Sequence, residues 1–145
     1  MTTLVQVNPS SVFVVSGGAK GITAKCVIKL AQQHRCKFIL LGRSELIDNE
    51  PDFAKGCFDE AVLKKRIMED FIATGGKPTP MSIQKLYNQI ASSREIKETL
   101  AAIKKAGGNA EYLSVDVTDV AALKAKIPQA AARVGAVTGI IHGAG

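Results

Sequence analysis

The feature that most constrains the fold is an apolar run, residues 12–15, followed by a glycine-rich turn and an amphipathic pattern. The run consists of three valines and a phenylalanine, which favour a buried strand. Gly17 and Gly21 follow at G-x-x-x-G spacing, and glycines let a backbone turn tightly and approach a diphosphate. A helix is predicted from Ile22 to His34, and its N-terminus would attract an anion. The segment predicts a phosphate-binding site, although a glycine turn between strand and helix can also be purely structural.

Apolar runs and helical patterns alternate along the rest of the chain. Residues 38–41 predict a second strand, residues 110–115 a third and residues 137–141 a fourth. Strands that alternate with helices predict a parallel sheet covered by helices. A length of 145 residues suits one such domain, spanning 1–145.

The connection between the second and third strands is too long for a single crossover. A whole strand–helix–strand unit needs about 30 residues, but this connection runs from Arg43 to Asp116. We therefore predict a helical insertion over residues 48–95. A helical pattern covers about 59–72 within it, and a short helix is predicted over about 83–90.

Local signals predict where the later helices begin and end. Ser92 and Glu95 belong to an S-x-x-E capping box, which predicts that a helix starts there and ends before Gly107. Thr118 is predicted to cap the next helix. Pro128 is predicted to kink or restart that helix, because proline lacks the N–H that the helix interior needs.

Cationic and polar residues follow the second predicted strand. In dinucleotide-binding folds an acidic residue at this position binds the ribose 2′-hydroxyl and selects NAD. This chain has Arg43 and Ser44 there instead. A guanidinium forms paired, charge-assisted hydrogen bonds with a phosphate, so Arg43 predicts NADPH. Lys20 in the turn could add a second cation, and both side chains could also be ordinary solvated charges.

Two further strand ends carry candidate ligand contacts. The Asp116 carboxylate, after the third strand, could accept a hydrogen bond from the adenine amino group, or could simply start a turn. His142 after the fourth strand is followed by Gly143, Ala144 and Gly145, whose small size would let a cofactor lie against the backbone. We expect a structural role for His142.

Charge and cysteine content exclude several classes of function. The net charge is +6, and residues 1–47 carry six basic groups against one acidic group, which favours a small anionic ligand. The chain has no run of five like charges, so nucleic-acid binding receives little support. Three cysteines without metal-ligand spacing predict reduced thiols in the cytoplasm and no metal site. The sequence lacks a signal peptide and an apolar run of membrane-spanning length, so we expect no membrane association.

The four strand-end motifs together resemble the short-chain dehydrogenase/reductase family. More narrowly, VSGGAKGITA, LLGRS, DVTD and GIIHGAG resemble ketoreductase (KR) domains of polyketide and polyunsaturated fatty acid synthases. The resemblance implies a Rossmann-type doubly wound α/β fold with strand order 3-2-1-4. It also implies reduction of a 3-oxoacyl chain on an acyl carrier protein, with NADPH as cofactor. It implies cofactor contacts for the diphosphate (Gly17, Gly18, Lys20, Gly21, Ile22), the 2′-phosphate (Arg43, Ser44), adenine (Asp116, Val117) and the ribose and nicotinamide side (Ala144, Gly145).

The sequence departs from the family pattern at two points. Thr23 stands where the family has a third glycine, and the glycine spacing also fits the sugar-nucleotide epimerase branch. The family's catalytic Tyr-x-x-x-Lys is absent, since Ala91 and Asp116 lie four residues after Tyr87 and Tyr112. We therefore expect the N-terminal, NADPH-binding portion of a ketoreductase domain, with no catalytic residue and no activity without the remainder of the domain. The alternative is a non-catalytic nucleotide-binding module.

Overall fold

The computed structural model describes residues 7–143 and contains a four-stranded parallel sheet. The strand order is β3-β2-β1-β4, so the predicted order 3-2-1-4 and the doubly wound fold are confirmed. The elements are β1 Val12–Ser16, α1 Gly21–His34, β2 Lys37–Gly42, a 3-10 turn Asp52–Ala54, α2 Glu60–Ala73, α3 Pro80–Lys105, β3 Asn109–Ser114, α4 Val120–Val134 and β4 Gly139–His142. Across residues 7–143, no helix combines the length and the hydrophobicity that crossing a bilayer requires.

Both faces of the sheet are buried near its centre, which explains the continuous apolar runs. Residues 38–41 of β2 are all buried because this strand lies between β1 and β3. Val12 and Val14 belong to a core cluster with Ala130 and Val134 of α4. The chain moves one way across the sheet from β1 to β3 and then returns to place β4 beside β1. Right-handed crossovers therefore place α1 on the face opposite α4.

The chain divides into two compact units, of which the sheet unit comprises the residues up to Ser44 and those from Glu95 onward. The second unit covers residues 45–94 and has its own apolar core. Its buried members are Ala54, Cys57, Leu63, Ile67 and Ile90. That residues 48–95 are an insertion into the sheet domain stays a prediction.

The predicted helix start at Ser92 is wrong. α3 continues without interruption from Pro80 to Lys105, and Ser93 lies inside it. Ser93 is buried, and its hydroxyl accepts a hydrogen bond from the Ile47 N–H at 2.9 Å. Tertiary packing of the continuous helix therefore overrides the local signal for a helix start. Reciprocal hydrogen bonds between Thr79 and Ser82 cap the actual start of the helix.

Three smaller expectations also differ from the structure. Asp119, not Thr118, caps α4, because the Asp119 carboxylate accepts the Ala122 N–H at 3.1 Å. Pro128 lies within α4 and does not divide it. The predicted helix starts one residue earlier than Ile22, at Gly21, and Ile22 is 80% exposed.

Candidate functional site

The candidate site lies where the carboxyl ends of the four parallel strands meet. Ser16, Gly42, Ser114 and His142 are the last residues of β1, β2, β3 and β4. The strand order reverses between β1 and β4, and open α/β sheets bind ligands outside such a reversal point. All of the predicted site residues within the described part of the chain follow one of these strand ends.

The three glycines of the turn after β1 differ in conformation and in the space around them. Gly17 has φ +70° and donates its N–H to the Leu41 carbonyl at 2.8 Å, which ties the turn to β2. A Cβ on Gly18 would lie 2.6 Å from Cγ1 of Val15, so the position has no room for a side chain. Gly21 has φ +66°, and a Cβ there would meet open space. The side of Gly21 on which a Cβ would stand is therefore open, while its N–H donates to the Glu95 carboxylate at 2.8 Å.

Gly18→Ala should lower the free energy of unfolding by about 1–3 kcal/mol, because the added methyl overpacks the core beneath the turn. Gly21→Ala is the companion variant: it introduces backbone strain of about 1–2 kcal/mol without a steric clash. Chemical denaturation of both variants measures the two costs. Crystal structures should show the turn displaced from Val15 in Gly18→Ala and undisturbed packing in Gly21→Ala. An undisplaced, fully stable Gly18→Ala protein would contradict the steric argument.

Two side chains hold the segment after β2. The Lys20 ammonium donates to the Ser44 hydroxyl at 3.1 Å, which links two of the predicted site residues. The Tyr112 hydroxyl donates to the Ser44 carbonyl. A Cβ on Gly42 would lie 2.7 Å from this Tyr112 oxygen, so the tyrosine passes directly over the end of β2. These contacts determine the path of the backbone at Arg43 and Ser44.

Arg43 and Asp116 face each other across the ends of β2 and β3. A guanidinium nitrogen of Arg43 lies 3.5 Å from Asp116 Oδ1, and the two side chains are 76% and 45% exposed. This separation in solvent makes a weak ion pair, so the guanidinium can be drawn to a phosphate at little cost. Hydrogen bonds from the Thr118 N–H and hydroxyl, and the nearby Arg43 charge, lower the pKa of Asp116. Asp116 is therefore a carboxylate at neutral pH. Its hydrogen bonds with Thr118 also place it at the start of a turn, which was the alternative to a ligand contact.

A cleft of about 380 Å³ opens beside this pair, within the usual size range of ligand sites. Arg43, Asp116 and Asp119 line it, together with Lys126 from α4. The Lys126 ammonium donates to the Ser114 carbonyl at 2.8 Å. The cleft thus contains two cationic and two anionic side chains.

The end of β4 is joined to the end of β1. The Ser16 hydroxyl lies 2.7 Å from Nδ1 of His142, and the Gly143 N–H donates to the Ser16 carbonyl at 2.9 Å. A Cβ on Gly143 would come within 2.5 Å of the Thr23 methyl. His142 therefore has the structural contact expected of it. The predicted site residues Ala144 and Gly145 lie outside the described residues.

The remaining predicted residues differ in their surroundings. Ile22 is exposed at the start of α1, next to the turn. Val117 packs against the apolar cluster between the sheet and α4, so only its backbone and part of its side chain could face a ligand. The sequence did not predict that Tyr112 and Lys126 form contacts at this edge of the sheet. Only their fold-dependent contacts reveal them, and no sequence motif marks them for this role.

Tyr112 is not placed as a proton donor. Burial raises the pKa of Tyr112 to about 12, and its hydroxyl already bonds to the Ser44 carbonyl. Tyr87 belongs to the second unit, where the Lys64 ammonium lies 5.0 Å from the centre of its ring. Within residues 7–143, no group of three His, Cys, Asp or Glu side chains is arranged to hold a metal ion.

Comparison with known proteins relates this chain to one family. The model of the KR domain family matches residues 11–145. A large component of the polyunsaturated fatty acid synthase of a Thraustochytrium species is 37% identical over 97% of this chain. The chain spans 5% of the length of that synthase component.

Solved structures agree with the fold. An N-terminal ketoreductase from the macrolactin assembly line superimposes with a TM-score of 0.59 at 23% identity, over 100% of this chain and 20% of that chain. Carveol dehydrogenase from Mycobacterium avium in complex with NAD gives a TM-score of 0.57 at 18% identity, over 97% and 38% of the two chains. At these identities the superpositions establish the fold alone.

Proposed function

Because the chain belongs to the KR domain family, we propose that it forms the NADPH-binding part of a 3-oxoacyl reductase in a polyketide or fatty acid synthase. The observation that carries the proposal is the position of the exposed Arg43 guanidinium, 3.5 Å from Asp116 at the sheet edge that also holds the glycine turn. This arrangement offers a cation for a 2′-phosphate and backbone amides for a diphosphate on one molecule.

The residues present fit this cofactor. The open space over Gly21 leaves room for a diphosphate at the start of α1, where Gly17, Gly18, Lys20 and Ile22 would complete its surroundings. Arg43 and Ser44 would hold the 2′-phosphate. Asp116 and Val117 would face adenine, and Ala144 and Gly145 the ribose and nicotinamide.

This chain's part in catalysis would be to bind and orient the nucleotide. When bound, NADPH would supply the hydride for a 3-oxoacyl group. The carboxylate at Asp116 would accept from the adenine amino group, and Lys20 would hold Ser44 in place for the 2′-phosphate. We propose an acyl carrier protein-bound substrate and a synthase in the cytoplasm as its surroundings.

Titration of the intact protein with NADPH and NADH tests the proposal. We expect NADPH to bind at least tenfold more tightly, since a single charge-assisted hydrogen bond contributes about 1.5–3 kcal/mol. Tighter binding of NADH would contradict it. Turnover of a 3-oxoacyl thioester with NADPH should accompany binding, whereas NADPH binding without turnover would favour the non-catalytic nucleotide-binding module.

A further inference from the structure

The N-terminus of α1 is capped by another helix. Lys20 occupies the cap position in an extended conformation, and its side chain makes no capping hydrogen bond. The Gly21 N–H instead donates to a Glu95 carboxylate oxygen of α3 at 2.8 Å. An amide that the local sequence leaves without a partner therefore obtains one from a residue far along the chain.

A second contact lies one helical turn further along α3. The Thr99 hydroxyl donates to the Ala19 carbonyl at 2.8 Å. Thr99 and Ala19 are 4% and 3% exposed, so water cannot easily replace this hydrogen bond. Residues four apart lie on the same face of a helix, so Glu95 and Thr99 present one surface to the turn.

The two contacts hold the backbone on either side of Lys20. Thr99 binds the carbonyl before it and Glu95 binds the amide after it. Gly17 and Gly21 both have positive φ, and such glycines sample many conformations unless other contacts restrict them. Restricting a binding loop before the ligand arrives reduces the entropy lost on binding.

We propose that Thr99 is a positioning residue that holds the glycine turn in the conformation that binds a diphosphate. The inference rests on the proposed function, because it assigns the diphosphate of the nucleotide to this turn. Thr99 touches neither nucleotide nor substrate in this scheme and acts only through the backbone at Ala19.

Thr99→Val in the intact protein tests the inference, because valine keeps the shape and removes the donor. We expect the Kd values for NADPH and NADH to rise by the same factor, about five- to tenfold. The Kd for 2′-AMP, which carries adenosine and a 2′-phosphate but no diphosphate, should stay unchanged. Thr99→Ser should restore wild-type affinity. Thr74→Val, at an exposed threonine that ends α2, is the matched control.

Hydrogen exchange without nucleotide provides a second measurement. Amides at residues 19–22 should exchange faster in Thr99→Val, and the Gly21 amide should also do so in Glu95→Ala. Unchanged exchange there, unchanged affinities in Thr99→Val, or an equal loss of 2′-AMP affinity would overturn the inference. A wild-type protein that binds neither NADPH nor NADH would overturn the proposed function instead. Exchange at residues 19–22 would still decide whether Thr99 holds the turn.

Discussion

Arg43→Ala should weaken NADPH binding by the intact protein about tenfold to a hundredfold and leave the NADH affinity nearly unchanged. A guanidinium can make two charge-assisted hydrogen bonds with a 2′-phosphate, each contributing about 1.5–3 kcal/mol. A difference of 1.4 kcal/mol is a factor of ten in affinity. The Arg43 side chain is 76% exposed, so solvent reduces the effect and the lower part of the possible range applies. Paired titrations with the two nucleotides measure the change in preference.

Arg133→Ala is the matched control for this prediction. It also removes one positive charge from the sheet unit. However, Arg133 lies on the last turn of α4, away from the carboxyl ends of the strands, where it pairs with Glu111 of β3. We expect no change in the ratio of NADPH to NADH affinity. Arg43→Asp should reverse the preference, because a carboxylate there accepts from the ribose 2′-hydroxyl and repels a phosphate. An Arg43→Ala protein that keeps its preference for NADPH would show that another group selects the nucleotide.

One arginine of the second unit, Arg94, holds three segments of the unit together through hydrogen bonds. Arg94 forms two parallel hydrogen bonds with the Glu50 carboxylate, at 2.6 and 3.0 Å. The same guanidinium donates to the Cys57 carbonyl at 2.6 Å and the Ala54 carbonyl at 2.7 Å, and it lies 5.2 Å from the centre of the Phe58 ring. The hydrogen bonds to Glu50 raise the pKa of Arg94, so its charge is permanent.

Arg94→Ala should lower the stability of this unit by about 3 kcal/mol. The substitution leaves the Glu50 carboxylate and two backbone carbonyls without their donor. Breaking a buried ion pair costs about 3–5 kcal/mol. The Arg94 and Glu50 side chains are 19% and 21% exposed, which places the cost at the lower end of that range. Hydrogen exchange at the Leu63 and Ile67 amides of α2 measures the loss, because both residues belong to the core of this unit.

Arg66→Ala is the control for Arg94. Arg66 lies on the exposed side of α2, and its guanidinium donates to the Phe53 carbonyl. We expect a change below about 0.5 kcal/mol, as for most exposed positions. Arg94→Lys should recover only part of the lost stability, because an ammonium cannot form the paired bonds to Glu50. Equal protection from hydrogen exchange in the Arg94→Ala and Arg66→Ala proteins would mean that the Arg94 guanidinium contributes no more to stability than the exposed Arg66 guanidinium.

The sequence predicted the sheet well and the middle of the chain poorly. β1 and β2 lie where their apolar runs placed them, because a strand buried on both faces needs uninterrupted apolar residues. The S-x-x-E pattern at Ser92 was misleading, because the same residue types occur inside a helix when tertiary contacts use them. Ser93 and Glu95 are such residues, since the first accepts the Ile47 N–H and the second accepts the Gly21 N–H.

For the candidate site, strand ends could be predicted and contacts between them could not. A parallel sheet brings the ends of its strands to one edge, so the order of strands alone placed Arg43 and Asp116 together. The hydrogen bond from Tyr112 to Ser44 could not be predicted, because it depends on the register of β3 beside β2. The cofactor roles of the individual residues stay predictions.

The amino-acid sequence by itself determined where the buried strands and the turn at Gly17 lie, because burial on two faces and positive φ are demands that a short segment must meet alone. Only the tertiary structure decided that α3 is one helix and that Glu95 and Thr99 hold the backbone around Lys20. Hydrogen bonds between distant segments depend on where the packed core places each helix face. No local pattern of residues carries that information.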